Sequence, residues 1–196
     1  MNLLYIHGLS SSGSSPTAQT LRRLLPHDQV VSPDIPIDPL EALALLERVV
    51  KEASIDLVIG SSMGGMFAQK LRGYTKILVN PAFHVSELMR EQLGVHDFLN
   101  PREGPRQFEI TVPLCDAYQA LETQQFDGLE AQEKDNTYGL FGEKDELVHG
   151  SAEFMAHYTH IRFFDGGHRL DERIIRSHLL PMIEEIRRTG WASPSL

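Results

Sequence analysis

The stretch LVIGSSMGGMFAQKL, residues 57–71, runs an apolar segment into a glycine-flanked serine and then into a helix-forming pattern. Gly60, Ser62 and Gly64 spell G-x-S-x-G. Between a strand and a helix this pattern asks for a sharp turn at the central serine, and glycines two positions away carry no Cβ to strike the flanking backbone. The helix beginning at Met63 aims its first N–H groups at any negative charge that develops beside the serine. Ser62 is thus the candidate nucleophile, and a purely structural Gly-rich turn is the plainer alternative.

Outward from this stretch, short apolar runs alternate with helical patterns. Strands are expected at Leu3–His7, Gln29–Ser32, Ile55–Gly60, Lys76–Asn80, Thr137–Gly142 and Ile161–Phe164, all apolar enough on both faces to be buried in a parallel sheet. Helices are expected at Pro16–Leu25, Pro39–Glu52, Met63–Arg72, Ser151–Tyr158 and Asp171–Arg188. Pro39–Glu52 has the clearest start, with Asp38 as cap, Pro39 in the first turn and Glu41 at the capping-box position. The alternation implies a three-layer α/β/α sandwich around a mostly parallel sheet of about six strands. Residues 83–136 break the rhythm and show no strong strand, so they read as a short helical insertion over one end of a single domain spanning 1–196. The terminal WASPSL reads as a loose tail.

Composition narrows the function classes. A 196-residue chain that is 41% hydrophobic can bury a core without staples. The lone Cys115 leaves no internal disulfide and no cysteine-based zinc cluster. No run approaches the roughly 18 apolar residues of a membrane span, and His7-Gly8 interrupts the apolar start, so neither a signal peptide nor an anchor is expected and the cytoplasm is the default location. A formal charge of −9 disfavours nucleic acid and anionic membranes as partners.

A serine hydroxyl needs a base, and the base needs an orienting carboxylate. His168 follows the last expected strand in IRFFDGGHRL, on a flexible Asp-Gly-Gly turn, and is the candidate base. His157 and His160 read as a solvated pair rather than metal ligands, and His178 as helix surface, so no metal is expected. The acid should follow TYGLFG, where GEKDELV offers Asp145 at the loop tip, with Glu143 as the alternative. Near the start, GLSSSGSS (Gly8–Ser15) has the G-x-x-x-x-G frame of a phosphate loop, but Ser14 stands where such a loop needs lysine. Instead the loop after the first strand can donate the Leu9 N–H, with the Met63 N–H, to an oxyanion. Phe83, Leu88, Met89 and Tyr118, with Phe98, Leu114 and Phe126, are candidate pocket residues of the insertion.

These motifs resemble the α/β-hydrolases, and more narrowly the small bacterial YqiA-type esterases. The resemblance rests on YIHGLSSSGSSPTAQTL, VSPDIP, LVIGSSMGGMFA, LVNPAF, LGVHDFLNPREG and the final DGGH, and covers most of the chain. It implies a minimal α/β-hydrolase fold without the leading antiparallel hairpin of larger relatives, and cofactor-free hydrolysis of a small-molecule ester or thioester. It carries over Ser62 as nucleophile and His168 as base. The chain departs from the pattern in having Thr17 in place of lysine, a DGGH turn one residue short, and Glu143 directly after the strand-ending glycine where the family keeps its acid. Two other readings are a transferase that uses the same residues to pass the acyl group to an acceptor other than water, and a binding scaffold on a retired hydrolase fold.

Overall fold

Each of the six expected strands forms, in a computed structural model that describes residues 1–189. They are β1 (Asn2–Ile6), β2 (Gln29–Val31), β3 (Leu57–Ser61), β4 (Thr75–Val79), β7 (Thr137–Gly142) and β8 (His160–Phe164), and between β4 and β7 lie β5 (Gly94–Asp97) and β6 (Gln107–Ile110). The six form one sheet in the order β2-β1-β3-β4-β7-β8 with every pairing parallel. The inner strands are buried on both faces, which is why they read as unbroken apolar runs, whereas the edge strand β8 leaves His160, Arg162 and Phe163 exposed.

Alternation along the strands divides the core in two. Leu4, Ile6, Val58, Leu78 and Phe141 face a cluster built with α2 (Pro39–Glu52), α3 (Met63–Lys70), α7 (Ser151–His157) and the insertion. Leu3, Tyr5, Leu57, Ile59, Ile77, Val79 and Leu140 face α1 (Pro16–Leu24) and the C-terminal helices. Asp38 caps α2 through Leu40 and Glu41 N–H, and Ser15 caps α1 through Ala18 N–H, satisfying donors that a helix start leaves without partners.

Two expectations need correction. Residues 83–136 do contain strands: besides α4 (Val85–Arg90), α5 (Val112–Glu122) and α6 (Ala131–Asp135), they form the antiparallel pair β5–β6. The connection between these strands docks on the serine-rich loop after β1, with Leu99 N–H on Ser10 O at 2.8 Å and Ser12 Oγ donating to Pro101 O at 2.7 Å. The last helix is also not a regular α-helix throughout. It runs α8 (Glu172–Ile174), a π turn (Ile175–Leu179) and α9 (Leu180–Thr189). Pro181 has no N–H to return to the preceding turn and its ring crowds the carbonyl there, so a widened turn just before it relieves the clash. The tail WASPSL lies outside the described residues. Among the described residues no helix is long and apolar enough to cross a membrane.

Candidate active site

A parallel sheet presents ligands to the carboxyl ends of its strands, in the crevice where strand order reverses. Here β2 lies on one side of β1 and β3 on the other, so the crevice opens between the ends of β1 and β3. Ser62 follows β3 with φ 57° and ψ −124°, a conformation that costs a non-glycine residue about 1–3 kcal/mol. Its backbone is held on both sides, Ser62 N–H donating to Val79 O and Ala82 N–H to Ser62 O, each at 3.0 Å. The two motif glycines are required by close approach. A Cβ on Gly64 would sit 2.1 Å from Ile6 O, and one on Gly60 would sit 2.2 Å from Gly64 O. Gly8 is similarly close, its notional Cβ falling 3.2 Å from Ser62 Cβ. The serine hydroxyl does not cap α3, so it is left for other work.

The loop after β1 and the start of α3 supply the candidate oxyanion donors. Among the described residues neither Leu9 N–H nor Met63 N–H donates to another backbone carbonyl outside the regular elements. His7 fixes the peptide that carries the first of them. It is 2% exposed, its Nδ1 lies 2.9 Å from Gly8 O, and Ile35 N–H donates to its Nε2 at 3.2 Å. Because Ile35 can only donate, the ring proton belongs on Nδ1 and is given to Gly8 O. Gly8 C=O and Leu9 N–H share one peptide plane, so this bond orients the donor. Burial lowers the His7 pKa and favours the neutral ring this arrangement needs.

Asp145 and His168 meet beyond β7 and β8. His168 Nδ1 is 2.8 Å from Asp145 Oδ2, while Asp145 Oδ1 accepts Leu147 N–H at 2.9 Å and Val148 N–H at 3.0 Å. One carboxylate oxygen is thereby anchored by its own turn and the other is aimed at the imidazole, leaving Nε2 for a reacting group. Glu143 is exposed, and its backbone N–H pairs with Phe164 O instead. The structure thus brings Asp145 and His168 into direct contact, with Ser62 on the same edge of the sheet and no Ser62–His168 hydrogen bond among the described residues. Such bonds are often open before a substrate enters.

Of the candidate pocket residues, Phe83, Met89 and Tyr118 are buried in the core, and Leu88, Phe98, Leu114 and Phe126 pack partly buried against it. Tyr118 does reach the elbow: its hydroxyl donates to Ile37 O at 3.1 Å and lies 3.4 Å from Met63 Sδ. A cavity of about 380 Å³ lies beside the acid turn, lined by Asn80, Phe141, Glu143, Asp145, Val148 and Phe163 among others, and not over Ser62. Among the described residues no cluster of side chains could hold a metal ion. Sequence reasoning gave no role to Asn80 and noted His7 as an interruption of the apolar start. The signal for each was a polar residue directly after an apolar strand.

The model of the Uncharacterised protein family UPF0227 matches residues 2–184. Solved structures share the fold. Alpha/beta hydrolase domain-containing protein 10 from mouse superposes with TM-score 0.67 at 12% identity, over 96% of this chain and 90% of its own. Est1E from Butyrivibrio proteoclasticus gives 0.63 at 15% identity, over 95% and 88%. The methylesterase protein MES16 from Arabidopsis gives 0.63 at 11% identity, over 94% and 99%. At such identities the likeness is one of fold.

Proposed function

The chain belongs to family UPF0227 and has the α/β-hydrolase fold, and from its site we propose that it is a serine hydrolase of carboxylic esters or thioesters. The observation that carries this reading is a strained Ser62 at a strand-to-helix bend, on the sheet edge where His168 and Asp145 are already hydrogen-bonded. In this reading Ser62 Oγ attacks the carbonyl carbon while His168 Nε2 takes its proton. Asp145 holds the imidazole tautomer and stabilises the cation that forms. Leu9 and Met63 N–H groups receive the tetrahedral oxyanion, a service worth about 2.7–4 kcal/mol for each donor. The proton then passes to the leaving oxygen or sulfur, and a water activated by His168 releases the acyl group. Residues 83–136 wall the site through the β5–β6 connection on the serine loop.

The test is capture of Ser62 by a fluorophosphonate together with turnover of p-nitrophenyl butyrate. The folded protein is expected to gain the adduct mass on Ser62, and Ser62→Ala to lose both label and turnover. An unlabelled folded protein would leave the scaffold reading in place. Product analysis with competing alcohols separates hydrolysis from acyl transfer.

A further inference from the structure

Asn80 follows β4, the strand between the nucleophile strand β3 and the acid strand β7. It is 1% exposed and, at φ 42°, one of the few non-glycine residues in the left-handed region. Its side chain makes three hydrogen bonds, all to backbone across the sheet edge. Oδ1 accepts Gly142 N–H at 2.8 Å, at the root of the acid turn. Nδ2 donates to His168 O at 3.0 Å and to Gly167 O at 3.2 Å. The amide orientation is fixed by these partners, since the reverse placement would set N–H against N–H and oxygen against two carbonyls.

These bonds join two halves of the site. The acid and histidine loops are already tied to each other, by Asp145–His168 and by Glu143 N–H on Phe164 O at 3.0 Å and Lys144 N–H on Gly166 O at 2.9 Å. The elbow is tied to the chain around Asn80, through Val79 O and Ala82 N–H. We infer that Asn80 is a positioning residue whose side-chain amide sets where His168 stands relative to Ser62, without acting through the Asp145–His168 pair. This inference rests on the proposed triad. An amide suits the role because it offers one acceptor and two donors from one rigid group. An aspartate there would place an anion against two carbonyl oxygens.

The experiment measures kcat, KM and the acid limb of the pH–kcat profile with p-nitrophenyl butyrate for Asn80→Ala, Asn80→Asp and Asn80→Gly, each normalised to sites titrated with fluorophosphonate. Glycine tolerates the positive φ, so it keeps the test available if the alanine variant folds poorly. Misplacing a reacting group by about 1 Å costs on the order of a hundredfold, so kcat per titrated site should fall about 10- to 100-fold. KM should stay within about twofold, and the acid limb should hold its place in the alanine and glycine variants because the Asp145–His168 bond remains. A per-site kcat within about twofold of wild type in all three variants overturns the inference, because a merely structural residue changes the number of folded sites and not the rate of each. A fallen kcat with a displaced acid limb in the glycine variant also overturns it, by locating the effect in the Asp145–His168 pair. If the wild type neither turns over nor labels at Ser62, the proposed function fails, and the role of Asn80 fails with it.

Discussion

Asp145 and Glu143 sit two positions apart on one turn, yet only Asp145 faces an imidazole, because its other oxygen is pinned by Leu147 and Val148 N–H. Asp145→Asn should therefore lower kcat by about 10⁴-fold, as loss of the orienting carboxylate does in serine triads, whereas Glu143→Gln should leave kcat within about twofold. Steady-state kinetics on both variants checks this, and the reverse order would reassign the acid. The sequence narrowed the acid to this turn but left two choices open, since which carboxylate turns inward depends on the turn's own hydrogen bonds. His7 makes a second residue-scale prediction. His7→Ala frees the Gly8–Leu9 peptide and should lower kcat about 10- to 100-fold with little change in KM. The His7 pKa in the folded chain lies below its ordinary 6.5. The unfolded chain accordingly takes up the proton first, so stability is full above about 6.5 and falls as the pH drops below it. Urea unfolding at pH 7 and pH 5 should show a smaller loss for His7→Ala than for wild type.

The strand–elbow–helix element was the most legible in the chain, because its glycines answer a steric demand that spacing alone reveals. Gly64→Ala tests that demand: the new Cβ would meet Ile6 O, a backbone atom of β1 that cannot swing away. Destabilisation of about 3 kcal/mol or more is expected from such overpacking, read as a lowered urea midpoint, together with loss of fluorophosphonate labelling. Other elements were harder to read. The strands β5 and β6 are four residues each, mix His, Asp, Gln and Glu with apolar residues, and are joined by a long connection without a tight-turn signature. Alternation over so short a span carries little weight against the helical patterns around it. The π turn in the last helix was legible in principle from Pro181, but the apolar spacing of Ile175, Leu179, Met182, Ile183 and Ile186 fits a regular α-helix and concealed the widening.

At the scale of the whole molecule, the alternation of strands and helices determined the parallel sheet, while the strand order had to come from the structure, because it depends on which crossovers reverse direction. The two ends of β4 do different work. Its carboxyl end leads into Asn80, whereas at the other end Lys76, fully buried, reaches Glu133 Oε2 at 3.1 Å and Leu71 O at 2.6 Å. Burial pushes the Lys76 ammonium down to about 8. Glu133 also accepts Gly73 N–H and pairs with Arg72 at 3.4 Å, tying α6 to the sheet. Removing one partner of a buried pair costs about 3–5 kcal/mol, so Glu133→Ala should lower the unfolding free energy by that amount while kcat per titrated site stays within about twofold. A large drop in kcat would mean that the two ends of the strand are coupled. The order in which the site is assembled along the chain has a consequence for synthesis. Ser62, Leu9 and Met63 leave the ribosome long before β8 and His168. On the proposed mechanism, any translation product cut short of the last strand carries the Ser62 hydroxyl without His168 to take its proton, so incomplete chains should be chemically silent.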